Sequence, residues 1–295
     1  MEAGEDYILQ HRYKVLGLTW SSIERIPLYH FYPGSIVLKA WIAGCPLKCN
    51  ICIDRTINVP LDSLELKSIN EDVLIDFLYR IKSSILFFHG GEVLAHWGWL
   101  RDIISKLKMK GVLIGAKTTC LIETTIIKEA LRVLDVLLVE IALPGITCKE
   151  RIRSNLEYLK KSETHIEVLL LVNCKIENEV WREILKLMED LRRDTPIMIY
   201  SLIELPYSIL VGLRRTLLKE KFNYVYIIDD PFYKFEHTYC PKCKYILIER
   251  HNRLLRSCLL KNTSCPKCGC KINIKGKCKP PSSRISLFIS DEPLL

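Results

Sequence analysis

The 295-residue chain has no apolar run approaching the roughly 20 residues needed to cross a bilayer. Its first residues, Met1-Glu2-Ala3-Gly4-Glu5-Asp6, are acidic, which excludes the positively charged start of a secretory signal. Together these absences predict a cytoplasmic protein with no membrane partner. Cysteine is missing as far as residue 44, and thirteen cysteines follow. In a reducing cytosol, so many thiols point to metal or cluster ligation before disulfides. A hydrophobic content of 49% excludes a disordered chain and supports one large domain with a small one attached.

The formal net charge of +9 is unevenly spread. Between Phe232 and Ser290 there are thirteen Lys/Arg and two Glu, so the excess sits in the cysteine-rich end and the rest is near neutral. Four thiolates around a divalent ion would carry −2, and part of the excess offsets that charge. The remainder leaves a basic surface open to nucleic acid or an acidic partner.

The stretch that organises the chain is Gly44-Cys45-Pro46-Leu47-Lys48-Cys49-Asn50-Ile51-Cys52, after the apolar run Ile36 to Ala43. Gly44 and Pro46 mark it as a loop leaving a strand, so the three sulfurs can converge on one point. A structural zinc site needs four ligands, usually in two close pairs. A cubane iron–sulfur cluster held by three cysteines keeps one iron open for a substrate. The second stretch, Ser84 to Glu92, reads as a buried strand ending in Gly90-Gly91-Glu92. Glycines there expose backbone groups at the carboxyl end of the strand, where α/β folds bind ligands, and Glu92 can receive a cationic amine.

Beyond the loop, strand-like and helical runs alternate. Helices are predicted at Asn70–Ile81, Leu94–Lys108, Glu123–Val133, Thr147–Lys160, Asn178–Arg192 and Ser208–Lys219. Strands are predicted at Ile85–Phe88, Val112–Lys117, Val136–Ala142, Ile166–Val172, Ile197–Ile203 and Tyr224–Ile228. Such alternation implies right-handed βα crossovers around a parallel sheet. Residues 1–35 show no core pattern before Ile26, and Ile26 to Ser35 reads as an extended, turning lead-in to the first strand. After Asp230 come Cys240-Pro241-Lys242-Cys243 and Cys265-Pro266-Lys267-Cys268, two knuckles that each aim two sulfurs at one tetrahedral ion. Tyr245 to Arg250 reads as a ribbon strand between them. Zinc ranks ahead of iron at this site, and spacing alone does not name the metal.

The three-cysteine loop followed by Gly90-Gly91-Glu92 resembles the radical S-adenosylmethionine (SAM) superfamily. Read with Ile26 to Ser35, it is similar to the radical SAM protein of the AmmeMemoRadiSam system, which is related to glycyl-radical-enzyme activating enzymes. The resemblance covers about residues 26 to 275. It implies a partial (β/α)6 barrel, in which a seventh strand here lies at the edge, and a small C-terminal zinc-ribbon-like module. The expected division is 1–35 as N-terminal extension and lead-in, 36–230 as core barrel, 231–279 as cysteine-rich module and 280–295 as tail. The resemblance further implies that Cys45, Cys49 and Cys52 hold a [4Fe–4S] cluster, with Gly90, Gly91 and Glu92 at the SAM amino group. Ile51 would contact the adenine where relatives carry an aromatic ring, and Glu140 would contact SAM where relatives present Asp-x-Lys, Ala142 taking the place of the Lys. Cys240, Cys243, Cys265 and Cys268 are the zinc candidates. An electron-donor protein is the implied partner. The implied reaction is reductive cleavage of SAM to a 5′-deoxyadenosyl radical, which abstracts hydrogen from a protein or small-molecule substrate.

Two other function classes remain on the residues alone: an RNA-modifying radical enzyme whose basic module binds RNA, and a redox-sensing iron–sulfur binding protein. An intact Gly-Gly-Glu stretch weighs against the sensor. Cys120 stands where relatives often have Gly, and with Cys148 and Cys174 is read as apolar packing, a second radical-carrying thiol being the alternative. Cys258, Cys270 and Cys278 have no assignment, although Cys270 is near enough in sequence to replace Cys268. His30 and His89 invite proton-transfer or hydrogen-bonding roles, His89 the more so. Tyr200 and Glu204 are open between substrate contact and structure.

Overall fold

The computed structural model describes residues 12–47, 65–143, 149–172 and 178–279. Strand β1 (Lys14–Ser22) runs antiparallel to β2 (Ile36–Ile42), and the short β3 (Lys67–Ser68) runs antiparallel to β1. The parallel series continues from β2 through β4 (Ile85–His89), β5 (Leu113–Thr118), β6 (Val136–Leu143), β7 (His165–Val172) and β8 (Ile197–Ser201) to β9 (Val225–Ile227). The sheet order β3-β1-β2-β4-β5-β6-β7-β8-β9 leaves β3 and β9 as unpaired ends among the described residues, which makes a mixed α/β fold around a largely parallel, open sheet. The seventh parallel strand, β9, lies at the edge as expected.

Among the described residues, six helices connect the strands: α1 (Glu71–Arg80), α2 (Trp97–Met109), α3 (Thr124–Val133), α4 (Lys149–Lys160), α5 (Asn178–Met188) and α6 (Tyr207–Lys219). Local chemistry sets several of their ends. The Asn70 side chain accepts from the Val73 N–H at 2.9 Å, with Glu71 and Asp72 in the first turn of α1, where a carboxylate favours the helix dipole. Where a helix was expected to start at Leu94, a 3₁₀ turn covers Val93–His96, because Glu92 caps the Leu94 N–H and tightens that turn. Helix α5 stops at Met188, short of the expected Arg192, where the Arg193 guanidinium takes the Met188 carbonyl.

The two faces of the sheet carry different cores. One face, with Leu38, Leu86, Ile114, Val139 and Leu170, packs against the helices. The other, with Val37, Phe87, Leu138, Leu171 and Met198, packs against Ile23 to Phe31 and the C-terminal module. Thus the lead-in Ile26 to Ser35 is a buried floor under the concave face, with Leu28, Tyr29, His30 and Phe31 fully inaccessible. The strand β1 corrects the expectation that nothing before Ile26 joins the core. A bulge between Val15 and Gly17 skips Leu16, so the buried Val15 and Leu18 fall three residues apart and the two-residue alternation is hidden.

Buried polar groups fasten this floor. Glu167 on β7 accepts the Tyr29 and His30 N–H groups at 2.8 and 2.9 Å and contacts His165 Nε2 at 3.0 Å. Burial pushes the Glu167 carboxyl up, yet these donors and the neighbouring histidines hold it below the usual range. The module consists of β10 (Thr238–Tyr239), β11 (Ile246–His251) and β12 (Leu254–Cys258), antiparallel in that order. From β11, the fully buried Arg250 donates to the Tyr29 carbonyl at 2.5 Å and to Thr238 Oγ1 at 2.8 Å, with its guanidinium 4.4 Å from the Tyr29 ring centroid. No helix among the described residues is long and apolar enough to cross a membrane.

Candidate functional site

Neighbouring strands β2, β4, β5 and β6 bring the sequence motifs to one edge of the sheet, at their carboxyl ends. The cysteine loop leaves β2 through Gly44, whose φ of +84° suits glycine. Its carbonyl accepts from the buried His96 Nε2 at 2.9 Å, so that nitrogen carries the proton. Cys45 is half-buried beside it. Cys49, Asn50, Ile51 and Cys52 lie outside the described residues, as do Cys148 and Cys174.

At the end of β4, Gly90 and Gly91 take φ of +94° and +35°, a turn that side chains rarely adopt. Glu92 is fully buried. Its Oε2 accepts the Thr119 N–H at 2.7 Å and the Thr119 hydroxyl at 2.6 Å, and Oε1 accepts the Leu94 N–H at 3.3 Å. Burial raises the Glu92 pKa, and the Thr119 bonds oppose that. The carboxylate therefore ties the corner after β4 to the end of β5.

The concave face below this corner is charged and aromatic. Lys117 on β5 meets Glu140 on β6 at 3.2 Å, with side-chain exposures of 4% and 12%. Lys117, on the neighbouring strand, thus sets a cation beside Glu140. The alternation along β5 puts Lys117 on the inner face, and only the register, Lys117 opposite Leu138, places Glu140 within reach. His89 packs on Trp41 with ring centroids 4.3 Å apart, and Lys39 lies 5.6 Å from the Trp41 ring. Burial, with Lys117 and Lys39 nearby, holds the His89 pKa well below 6.5. Its Nδ1 accepts the Gly90 N–H at 2.8 Å, so the neutral ring keeps its proton on Nε2.

The remaining candidates separate by place. His30 is on the floor, its Nδ1 2.6 Å from the Asn273 carbonyl and its Nε2 2.6 Å from the Tyr226 hydroxyl, which is a structural hydrogen-bonding role. Cys120 is fully buried in the helix-side core, and burial followed by the Glu92 charge pushes its thiol pKa far up, as apolar packing requires. Tyr200 is half-buried at the end of β8 and Glu204 is exposed beyond it.

In the module, the Cys240, Cys243, Cys265 and Cys268 sulfurs lie within 4.8 Å of one another, with Cys240–Cys268 at 3.5 Å and Cys243–Cys265 at 3.6 Å. A tetrahedral ion with metal–sulfur bonds of about 2.3 Å places its sulfurs about 3.8 Å apart, so the four fit such an ion. The two knuckles are built alike. The Cys240 N–H bonds the Tyr245 carbonyl and the Lys244 N–H returns to Cys240, just as Cys265 bonds Cys270 and Gly269 returns to Cys265. Lys244 and Gly269 both take positive φ, 59° and 71°. Cys270 thus occupies the place of Tyr245 and stands outside the four-sulfur group. Cys258 and Cys278 form a disulfide, a departure from the expectation of ligation before disulfides; their pairing joins β12 to the segment after the second knuckle.

Residues 33–158 match the family model described as a 4Fe-4S single cluster domain. That span contains the three-cysteine loop, the diglycine corner and the Lys117–Glu140 pair, and the match supports the resemblance to the radical SAM superfamily. The chain is 26% identical over 294 residues to "Uncharacterized protein MJ0808" of Methanocaldococcus jannaschii, covering 88% of this chain and 84% of that protein. Among solved structures, it is similar to QueE from Escherichia coli, with TM-score 0.47 and 13% identity over 76% of this chain and 97% of that one. It is also similar to Streptococcus suis SuiB bound to S-adenosylmethionine, with TM-score 0.44 and 12% identity over 67% of this chain and 51% of that one.

Proposed function

We propose that the protein is a radical SAM enzyme related to activating enzymes. The observation that carries this reading is the meeting of the Gly44-Cys45 loop root, the diglycine corner and the Lys117–Glu140 pair on the carboxyl edge of adjacent strands. Cys45, Cys49 and Cys52 would hold the [4Fe–4S] cluster. With SAM bound, that group supplies one-electron cleavage of the sulfonium and a 5′-deoxyadenosyl radical that abstracts hydrogen from substrate. The backbone carbonyls of Gly90 and Gly91 receive the SAM amine, and Glu92, already holding three donors, braces the corner that presents them. Ile51 offers adenine an apolar contact. Glu140 and Lys117 orient the polar end of the nucleoside, Glu140 accepting from hydroxyls and Lys117 donating. His89 presents Nε2–H on the inner face as a hydrogen-bond donor.

The four-cysteine site takes zinc, whose role is to hold the module against the floor. The electron comes from a reduced donor protein in the cytoplasm. The substrate is a protein or a small molecule. Anaerobic reconstitution with iron and sulfide, then reductant and SAM, will yield 5′-deoxyadenosine and methionine; a fully loaded protein that leaves SAM intact overturns the reading. The charge of the module is the one feature that favours an RNA substrate instead. Under that alternative, RNA binding falls steeply with salt and depends on the module's lysines.

A further inference from the structure

Away from the carboxyl edge, a cavity of about 580 Å³ lies at the amino ends of β7 and β8, between the barrel elements and the segment after the second knuckle. Its volume is that of a small-molecule site. Lys160, at the end of α4, and Lys271 and Lys275, from the module, line it together. Arg192 and Asp194, also in the wall, neutralise each other through two bonds of 3.0 Å. Glu163 is the other carboxylate in the wall, and none of the three lysines has a carboxylate within ion-pair distance among the described residues. Three cations against one acid around a concave, mainly polar surface is an electrostatic trap for an anion.

Hydrogen bonds tie the walls to one another. The Asn273 side chain donates to the Asp194 backbone carbonyl at 2.9 Å, and its own carbonyl holds His30. His165, nearly buried in the opposite wall, contacts Glu167. The cavity is thus assembled only when module, floor and β7 are docked, and its cations come from both the barrel and the module. We propose that this cavity binds a small anion of the phosphate class, a ligand site separate from the cluster and SAM edge, with Lys160, Lys271 and Lys275 meeting the phosphate oxygens.

Inorganic pyrophosphate is the probe, titrated into the full-length, metal-loaded protein at low salt and followed by calorimetry. Saturable binding at one site per chain is expected, weakening at least tenfold in Lys160→Glu/Lys275→Glu and less in Lys275→Gln alone. Lys261→Glu, on the module outside the cavity, should leave binding unchanged. Hydrogen exchange should slow on binding within Leu159–Ile166 and Lys271–Lys275. Absence of binding at low salt, equal weakening by Lys261→Glu, or protection confined to other segments would overturn the site. Tighter binding of single-stranded oligouridylate at the same lysines would overturn the small-molecule assignment in favour of a nucleic-acid chain. The urea midpoint of each variant, measured alongside, separates lost binding from lost folding.

Discussion

His96 Nε2 donates to the Gly44 carbonyl at 2.9 Å, so the turn after β4 holds the root of the cysteine loop that follows β2. The two residues are 52 positions apart, and their bond joins the two motifs that the proposed cofactor chemistry needs together. His96 also rests edge-on to Trp99, with centroids 6.2 Å apart, which fixes the ring. Removing the donor leaves a carbonyl unpaired beside Cys45, at a cost of about 1–3 kcal/mol concentrated on the loop. His96→Phe is therefore expected to lower the iron bound per chain and the cluster's visible absorption after reconstitution, with the far-ultraviolet circular dichroism unchanged. His96→Gln, which keeps a donor, should recover part of the loading. Equal iron content in the wild type and His96→Phe would remove His96 from this role.

The four-sulfur site has a structural reach beyond its own turns. Arg250, Thr238 and Asn273 lie on the module, and they bond Tyr29, Tyr226 and His30 on the floor and β9. A structural metal in such a site contributes folding free energy directly. Cys243→Ser should therefore abolish one bound divalent ion per chain, read by elemental analysis, and speed hydrogen exchange at the Tyr29 and His30 amides that Glu167 holds. Faster exchange confined to residues 240–268 would show instead that the module loosens by itself.

His30 gives the floor a pH dependence with a definite sign. Burial lowers its pKa from 6.5 to about 4, against the pull of Glu167 and the Asn273 carbonyl. The unfolded chain therefore binds a proton that the folded chain refuses, and stability falls as pH drops from 6.5 towards 4. At about 1.4 kcal/mol per pKa unit, this one group accounts for roughly 3 kcal/mol across that window. Urea unfolding between pH 7 and 4 should show the loss, and His30→Gln should flatten the slope even if it lowers the stability at pH 7. A slope identical in the two proteins would mean that other groups set it.

Much of the architecture was legible because its signals are local. Asn70-Glu71-Asp72 is a cap readable without any partner, and each parallel strand, buried on both faces, shows as an apolar run with turn residues at its ends. The knuckles are equally local, since both members of each pair lie three residues apart. What escaped depends on register and distant contact. Lys117 ends a predicted strand, but only the pairing of β5 with β6 puts it beside Glu140. His96 lies within a stretch that reads as the first turn of a helix, and nothing local points it at Gly44. The Cys258–Cys278 pair is hidden for a combinatorial reason, because spacing among many cysteines does not select a connectivity. The burial of Tyr29 and His30 follows from Glu167, 138 and 137 residues away.

The Lys117–Glu140 pair offers the sharpest separation of ligand binding from scaffold. Both side chains are nearly buried at 3.2 Å, so removing Lys117 leaves the Glu140 charge in a poorly solvated place, and removing Glu140 takes a close carboxylate away from Lys117. If the pair only stabilises the sheet, Lys117→Met and Glu140→Gln will each cost stability, the double variant will recover much of it, and SAM affinity will stay unchanged in all three. If it meets the nucleoside, as proposed, each single variant should weaken SAM binding by about tenfold, equivalent to about 1.4 kcal/mol. The double variant should then bind no better than the weaker single, because both contacts to the ligand are gone even where the fold is restored. Equilibrium binding of SAM to the anaerobic, cluster-loaded proteins, set beside their urea midpoints, distinguishes the two patterns. Affinity that follows stability through the whole cycle would confine the pair to the scaffold.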